Sequence, residues 1–240
     1  MIDALLDGID LLGSGSILEA GCGTGGNLAT LARRGKLSAF EPHLDALAFA
    51  RSRHPSIDIL EGALPDALPF PGGTFDLVAA LDVLEHVRDD LGSARALVQL
   101  TKPGGWLLVT VPAHQALWGS HDRRLHHLRR YGRAQMLSLF SQADVDVIRV
   151  APFNVVLSPL AMVYRVAERI AGLDLGNQER LPPAALNGLF SMAFGAEARL
   201  MRRGVNLPFG LSYAVLLRRR GGPGLDPGRL EPGADRHGSG

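Results

Sequence analysis

Three glycines follow directly after a short apolar run, and this spacing is typical of a loop that binds a nucleotide-bearing ligand. The apolar run covers residues 16–20, the glycines are Gly21, Gly23 and Gly25, and a helical pattern begins at Asn27. Glycine removes the side chain that would hold a ligand away from the backbone, and it adopts the positive φ of a tight turn. The N–H groups at the start of a helix favour a polar or anionic ligand group. We therefore predict a cofactor site at this loop.

Two classes of cofactor fit the loop. Gly21, Gly23 and Gly26 match the G-x-G-x-x-G pattern of NAD-binding proteins, and Glu41 lies at the distance expected for the acid that binds a ribose. Glu19 argues against NAD, because a carboxylate two residues before the first glycine would repel a pyrophosphate. An ammonium group would instead be stabilised at that position.

The run Glu19-Ala-Gly-Cys-Gly-Thr-Gly25 resembles the first motif of class I S-adenosylmethionine (SAM) methyltransferases. Four later segments resemble the subsequent motifs of this family in the right order: residues 40–43, 66–78, 81–87 and 100–112. The resemblance, which extends to bacterial methyltransferases of types 11 and 12, implies a Rossmann-like α/β fold. Its sheet would have seven mostly parallel strands with an antiparallel last strand. It also implies SAM as the cofactor and S-adenosylhomocysteine as the product.

The resemblance further implies which residues contact the cofactor. Glu19 and the glycine loop would hold the methionine moiety, Glu41 would bind the ribose hydroxyls, and Asp82 would border the methionine end. The contact with the adenine amino group stays open between backbone groups and Asp66. The full predicted set is Glu19, Gly21, Cys22, Gly23, Gly25, Glu41, Pro42, Leu64 and Asp82.

Three histidines are the candidates for a residue that accepts or orients a proton during catalysis. His86 follows the fourth predicted strand, and His114 and His121 follow the fifth. Ligands of open α/β sheets bind at the carboxyl ends of the strands, and imidazole exchanges protons near neutral pH. Residues 111–131 are rich in histidine and arginine. One interpretation is an acceptor pocket in which arginines bind an anionic substrate; these arginines are Arg123, Arg124, Arg129 and Arg130. The other is a solvated loop whose histidines make structural hydrogen bonds.

The run Asp82-x-x-Glu85-His86 contains two carboxylates and an imidazole, which a divalent cation accepts as ligands. It is similar to the Glu-x-x-Glu-His metal site of ubiquinone-pathway O-methyltransferases. In this chain the first acid is shorter and the sequence assigns no fourth ligand. The same run is also common in metal-free relatives, where the glutamate caps or pairs locally. We therefore include no metal in the predicted site.

Strands alternate with helices along the chain, which predicts a parallel sheet covered by helices on both faces. The predicted strands are residues 16–20, 37–41, 57–60, 75–80, 106–111, 145–150 and 211–217. The predicted helices are residues 2–12, 26–34, 43–53, 88–101 and 134–142.

A helical insertion is predicted between the sixth and seventh strands, over residues 154–207. One helical stripe of this insertion is apolar and must cover something apolar; it consists of Leu157, Leu160, Val163, Tyr164 and Ala167. We expect it to cap the acceptor side of the cofactor cleft or to lie in a homodimer interface, and it also offers a peripheral membrane contact. Residues 1–220 would form the methyltransferase domain, and the Gly/Pro-rich residues 221–240 a disordered tail.

Composition limits the class of protein further. The chain has 240 residues, 46% of them hydrophobic, which is enough for one domain with a sizeable core. The net charge of +1 does not indicate a dedicated nucleic-acid binder. One cysteine, Cys22, excludes an internal disulfide and favours a cytoplasmic location. No signal-peptide pattern and no apolar run long enough to span a bilayer are present.

These observations together predict an enzyme that transfers the methyl group of SAM to an oxygen or nitrogen of a small-molecule acceptor. An anionic, lipid- or sugar-linked or natural-product acceptor fits the sequence. Three alternatives stay open: a non-catalytic SAM-binding partner subunit, an RNA methyltransferase that uses the arginines of residues 123–133, and an NAD-dependent oxidoreductase.

Overall fold

The computed structural model describes residues 2–9, 11, 15–155, 158–159, 162, 184–203, 205 and 208–221. Seven strands form one sheet. In chain order they are β1 (Ser16–Ala20), β2 (Lys36–Glu41), β3 (Asp58–Glu61), β4 (Phe75–Leu81), β5 (Thr101–Pro112), β6 (Val145–Phe153) and β7 (Ser212–Arg219).

The strand order across the sheet is β3-β2-β1-β4-β5-β7-β6. Strands β1 to β5 pair in parallel, whereas β7 is antiparallel to both β5 and β6. The order reverses between β1 and β4, which is the crevice where ligands bind in open α/β sheets. The predicted fold class is therefore confirmed, including the antiparallel last strand.

Seven α-helices have bounds within the described part of the chain, and Ser158, Pro159 and Met162 are also helical. The seven helices are α1 (Ile2–Leu5), α2 (Leu28–Ala32), α3 (Leu44–Arg53), α4 (Asp90–Leu100), α5 (Ser120–Arg124), α6 (Arg133–Ser138) and α7 (Ala184–Arg202). Two short 3-10 helices, Leu84–His86 and Gln115–Leu117, follow β4 and β5. Helix α4 begins after Asp89, whose side chain accepts a hydrogen bond from the backbone N–H of Gly92 at 2.8 Å and so caps the helix.

Two apolar clusters lie on opposite faces of the sheet, because successive side chains of a strand alternate between faces. Leu18 of β1 belongs to the cluster that includes residues of α4 and α6. Its neighbour Ile17 belongs to the cluster that includes residues of α1, α2, α3 and α7. Both side chains are fully buried. The carboxyl ends of β1, β2, β4 and β5 thus project from a core that is packed on both sides.

The boundaries differ most from the sequence prediction at α1 and β5. Helix α1 ends at Leu5, because Gly8 with φ 78° follows in a turn, whereas the apolar spacing predicted a helix to residue 12. Strand β5 begins at Thr101, five residues earlier than predicted, because Thr101 pairs with Phe75 before a register shift in the ladder.

Helix α7 confirms that a helix lies between β6 and β7. Its carboxyl-terminal turns pack on α1, and Ala198 and Met201 are buried beside Phe153. The carboxylate of Glu197 accepts a hydrogen bond from the backbone N–H of Val155 at 3.1 Å. This end of the insertion therefore covers the domain's own apolar surface. Among the described residues, no helix has the length and hydropathy needed to cross a membrane.

Several predicted features lie outside the described residues. They are the five residues of the apolar stripe of the insertion (Leu157, Leu160, Val163, Tyr164 and Ala167) and residues 222–240 of the predicted tail. The capping role of the insertion stays a prediction.

Candidate active site

The glycine loop turns sharply between β1 and α2. Gly21, Gly23 and Gly25 have φ values of 69°, 54° and 82°, which side chains other than glycine rarely adopt. The N–H groups of Gly21 and Cys22 both donate to the carbonyl of Phe40, at 2.9 and 3.0 Å. A Cβ added at Gly23 would meet nothing within 4 Å, so the backbone there is open to a ligand.

Glu19 lies at the end of β1 directly below this loop. Its side chain is almost fully buried, at 1% exposure. Asn27 Nδ2 donates to Glu19 Oε1 at 3.1 Å, whereas Oε2 has no hydrogen-bond partner among the described residues. Burial raises the pKa of Glu19 to about 7, against which the Asn27 hydrogen bond acts only partly. A buried carboxylate oxygen without a partner fits a site that receives a cationic ligand group.

Glu41, the last residue of β2, contacts the same loop from the neighbouring strand. Its Oε2 accepts from the N–H of Gly23 at 2.8 Å and its Oε1 accepts from the N–H of His43 at 3.0 Å. Each oxygen retains a further lone pair for a ribose hydroxyl. Pro42, the next residue, is exposed.

Cys22 is a buried thiol within the loop. Burial and the nearby carboxylates of Glu19 and Glu41 raise the pKa of its thiol to about 12. The thiol therefore stays protonated near neutral pH and does not act as a nucleophile. Cys22 therefore acts in the turn as a small buried side chain.

The loop after β4 forms the other wall of the crevice. Asp82 has a φ of 56°, its N–H donates to Thr110, and its Oδ1 accepts from Thr110 Oγ1 at 3.1 Å. Val83 touches the glycine loop, since a Cβ at Gly21 would lie 3.0 Å from Val83 Cγ2. The ends of β1, β4 and β5 are thereby joined around one cleft.

The predicted adenine side lies after β3. Ala63 and Ala67 exchange two backbone hydrogen bonds, at 2.8 and 3.0 Å, and close a tight turn. Leu64 packs against the core, whereas Asp66 at the turn is exposed. Which of the two groups named from the sequence, backbone or Asp66, contacts adenine stays a prediction.

His114 is the most distinctive of the three candidate histidines. It follows β5 with a φ of 61°, and its ring stacks on Phe209 with 4.4 Å between the ring centres and 8° between the planes. The ring centre of Tyr213 lies 5.4 Å from that of His114. The His114 ring also donates a hydrogen bond to the backbone carbonyl of Gly210. Within the described part of the chain, its buried Nε2 has no hydrogen-bond partner. Burial, and then the charge of Arg130, lower the pKa of His114.

The other two candidates lie in different surroundings. His86 ends the 3-10 helix after β4, and its ring meets that of His127 edge to face with 4.8 Å between the ring centres. His121 is exposed on α5, while its neighbour Asp122 is fully buried.

A buried ionic network that the sequence did not single out fixes residues 113–131. Asp122 Oδ1 accepts from Arg130 Nε at 2.7 Å and lies 3.0 Å from His127 Nδ1. Arg130 also donates to the carbonyl of Ala113 at 3.1 Å. Individual residue types gave no signal for this network, because which side of α5 faces inward depends on its packing.

Two of the arginines expected to bind an anionic acceptor therefore stabilise the fold. Arg130 is buried against Asp122, and Arg129 pairs with Asp90 at 2.6 Å. Tyr131, also fully buried, has its hydroxyl 3.0 Å from the same Asp90 carboxylate. Arg123 and Arg124 are exposed.

The residues present fit SAM. Buried Glu19 has a free acceptor for an ammonium group, the backbone at Gly23 is open, and Glu41 has lone pairs for two hydroxyls. The buried carboxylate of Glu19 beside the glycine loop argues against the pyrophosphate of NAD.

The comparison with known proteins gives the family. The sequence model of the methyltransferase-domain family matches residues 2–149, which is more than half of the chain. The chain therefore belongs to this family, as a class I SAM-dependent methyltransferase.

Two relatives illustrate how far the sequence similarity extends. A protein of Mycolicibacterium smegmatis named "probable S-adenosylmethionine-dependent methyltransferase" is 31% identical over 136 residues, which are 55% of this chain and 52% of that protein. The ubiquinone biosynthesis O-methyltransferase of Methylocella silvestris is 31% identical over 169 residues, 63% of this chain and 65% of that protein. This chain thus spans about half the length of the first of these relatives and under two thirds of the second.

Solved structures share the fold. A SAM-dependent methyltransferase from Mesorhizobium loti superposes with a TM-score of 0.55 at 18% identity, covering 89% of this chain and 100% of that one. Phosphoethanolamine N-methyltransferase 2 of Haemonchus contortus, solved with SAM, gives a TM-score of 0.60 at 16% identity, covering 92% of this chain and 52% of that one.

Proposed function

We propose that this protein methylates an oxygen of a small-molecule acceptor and that His114 takes up the acceptor's proton. The proposal rests on the buried Nε2 of His114 at the carboxyl end of β5, which has no hydrogen-bond partner among the described residues. Carboxyl ends of strands next to the crevice face the bound ligands in this type of sheet.

The state of the His114 ring supports a role as a base. Its ring N–H donates to the carbonyl of Gly210, and because Nε2 has no partner among the described residues, we assign the proton to Nδ1. The lowered pKa keeps the ring neutral near pH 7. Nε2 then has a lone pair available, and stacking on Phe209 fixes its direction.

The ligand and the protein supply different parts of the reaction. SAM, when bound, supplies a methyl group that its sulfonium has already activated. The protein aligns the acceptor, excludes water and removes the hydroxyl proton. Glu19 would hold the ammonium group and Glu41 the ribose, and both lie across the crevice from the loop after β4.

The ion pairs of two arginines bear on whether the acceptor is anionic or neutral. Arg129 and Arg130 are engaged in ion pairs with Asp90 and Asp122, which argues against their use as a binding site for an anionic group of the acceptor. A neutral hydroxyl acceptor needs a base and no anion site, which agrees with His114. The names of the ubiquinone biosynthesis relatives, which are O-methyltransferases, support oxygen as the acceptor atom.

An acceptor panel tests the proposal. The protein and SAM are incubated separately with phenols, catechols, sugar alcohols, carboxylic acids and primary amines, and the release of S-adenosylhomocysteine and the mass of the product are measured. We expect methylation of a hydroxyl compound. Transfer to amines alone would contradict the acceptor atom. SAM binding without turnover on any acceptor would instead favour the non-catalytic SAM-binding subunit.

A further inference from the structure

Glu85, His86 and His127 converge at the loop after β4, and together they are called here the Glu85 cluster. Glu85 and His86 belong to the 3-10 helix after β4, and His127 lies between α5 and α6. One side-chain nitrogen or oxygen of each residue lies within 4.8 Å of the others. A backbone hydrogen bond joins the two segments directly, since the N–H of Leu128 donates to the carbonyl of Glu85 at 2.7 Å.

Glu85 is the unusual member of the cluster. Its side chain is completely buried, and neither of its oxygens has a hydrogen-bond partner among the residues that the structure describes. His127 Nε2 lies 4.0 Å from Glu85 Oε1, too far for a hydrogen bond. Buried carboxylates are ordinarily paired, hydrogen-bonded or bound to a metal.

Among the described residues, the hydrogen bonds of Arg130 go to groups other than Glu85. The guanidinium of Arg130 pairs with Asp122 through Nε and donates to the carbonyl of Ala113 through Nη1. Asp122 also accepts from the N–H of Gly119 at 3.0 Å. This network directs the charge of Arg130 toward Asp122.

Both histidines of the cluster are oriented by their other ring nitrogen. His127 Nδ1 lies 3.0 Å from the Asp122 carboxylate, which leaves Nε2 on the side of Glu85. The ring of His86 donates to the backbone carbonyl of His126. Histidines that bind metals almost always donate their second N–H to a carboxylate or a carbonyl in this way.

We propose that Glu85, His86 and His127 bind one divalent ion of the first transition row, such as Mn²⁺, Fe²⁺, Co²⁺ or Zn²⁺. One carboxylate and two imidazoles favour these ions over Mg²⁺ or Ca²⁺, which prefer oxygen ligands. Ligand atoms around such an ion lie roughly 3–3.5 Å apart, so the three side chains would need to approach by about 1 Å. His86, which is exposed, has the freedom to do so.

This set differs from the run that the sequence indicated. Asp82 does not belong to the cluster, since its carboxylate accepts from Thr110. His127, which comes from a different segment, takes the place of Asp82 as the third ligand. Asp122 acts as a positioning residue, because it touches His127 and not the ion.

Three protein ligands leave coordination positions free for a further oxygen. Val83, two residues before Glu85, touches the glycine loop, so the cluster lies beside the cofactor crevice. We assign one free position to the acceptor hydroxyl, whose pKa a bound cation lowers. This last step rests on the proposed O-methylation, whereas the ion site itself does not.

Metal binding is measured directly, without an acceptor. Chelator-treated full-length protein is titrated by calorimetry with Mn²⁺, Co²⁺, Zn²⁺ and Mg²⁺, and bound metal is counted by mass spectrometry after dialysis. We expect one transition ion per chain and weaker binding of Mg²⁺. A visible absorption band of the Co²⁺ form would report imidazole ligands.

Variants separate a built site from surface binding. Glu85→Gln and His86→Gln should each weaken binding at least tenfold, and Asp122→Asn by about 10–100-fold. His126→Asn is the matched control: it removes the exposed imidazole next to His127, retains the carbonyl that His86 contacts, and suits the φ of 56° at this position. Thermal unfolding confirms that each variant is folded.

Two outcomes would overturn the site. If Glu85→Gln and His86→Gln bind the ions as the unmodified protein does, the titration has detected an adventitious ion only. If no ion binds and Glu85→Gln merely raises the melting temperature, Glu85 is a neutral buried acid. Either outcome leaves the methyl-transfer assay unaffected, so failure of the ion site is distinguishable from failure of the proposed function.

Discussion

The carboxylate of Glu41 accepts a hydrogen bond from the backbone N–H of Gly23 at 2.8 Å, so the end of β2 is joined directly to the loop that follows β1. The same carboxylate accepts from the N–H of His43, the residue before α3. Glu41 therefore fixes the shape of the glycine loop and at the same time presents its remaining lone pairs to the crevice.

Replacing Glu41 tests this dual role. If Glu41 binds the ribose hydroxyls, as the resemblance implies, Glu41→Ala removes their acceptor, and we expect the dissociation constant of SAM to rise by about 10–150-fold, equivalent to roughly 1.5–3 kcal/mol. Calorimetric titration with SAM measures the change. Glu61→Ala is the control, because Glu61 is the exposed residue that pairs with Glu41 in the neighbouring strand. An unchanged dissociation constant for Glu41→Ala would remove Glu41 from the cofactor site.

The geometry of the glycine loop could be predicted because it depends on local sequence. A strand, a glycine turn and a helix start lie within one short stretch, and the positive φ values of Gly21, Gly23 and Gly25 are those that this pattern requires. Glu41 follows from the length of one βαβ unit, and β2 ends at this residue.

The packing of residues 111–131 could not be predicted because its contacts join distant segments. His121 and Asp122 are neighbours in sequence, yet α5 places the first outside and the second in the core. Asp122 and Glu85 approach His127 only through the packing of two loops, so the contacts of His127 could not be inferred from its position in the sequence. Composition showed that residues 111–131 are basic, but not which charges neutralise each other.

Glu19 makes the folded protein sensitive to pH. Its pKa is about 7 in the folded chain against an ordinary value of 4.5, so the unfolded chain releases this proton first. The free energy of unfolding therefore falls as the pH rises from about 4.5 to about 7, by about 3 kcal/mol. Glu19→Gln removes this loss and keeps an oxygen for Asn27.

We expect Glu19→Gln to be more stable than the unmodified protein at pH 8, by about 2–3 kcal/mol, and equally stable at pH 4.5. Its SAM affinity should fall, because the ammonium group loses its carboxylate. Urea unfolding without ligand at both pH values measures the first effect, and Glu61→Gln serves as the exposed control. A stability difference of equal size at both pH values would contradict the burial argument.

His114 allows catalysis to be separated from cofactor binding. His114→Asn removes the imidazole while retaining a residue type that tolerates a φ of 61°. If His114 is the base for a hydroxyl acceptor, kcat should fall by about 10²–10⁴-fold and the SAM dissociation constant should stay within a few-fold.

The same substitution at a second site provides the control for His114. His126 also has a positive φ, of 56°, and is exposed, so His126→Asn should retain turnover. His86→Ala and His121→Ala complete the comparison of the three candidates. If all three candidate variants turn over at the normal rate, alignment of the acceptor alone drives the transfer.

Removing Arg130 should destabilise the fold far more than removing Arg129. Arg130→Met leaves the Asp122 carboxylate, at 0% exposure, without its closest cation, and losing one partner of a buried pair costs about 3–5 kcal/mol. Arg129→Met breaks the pair with Asp90, in which both side chains are partly exposed, at 24% and 18%, so we expect about 1 kcal/mol or less. Urea unfolding at pH 7.5 measures both variants under the same conditions.

The double variant Arg130→Met with Asp122→Asn should recover part of the loss, because the buried charge is removed together with its partner. Equal losses from the two single variants would mean that Arg130 is not the centre of the buried network, and it would again be a candidate for binding an anionic acceptor.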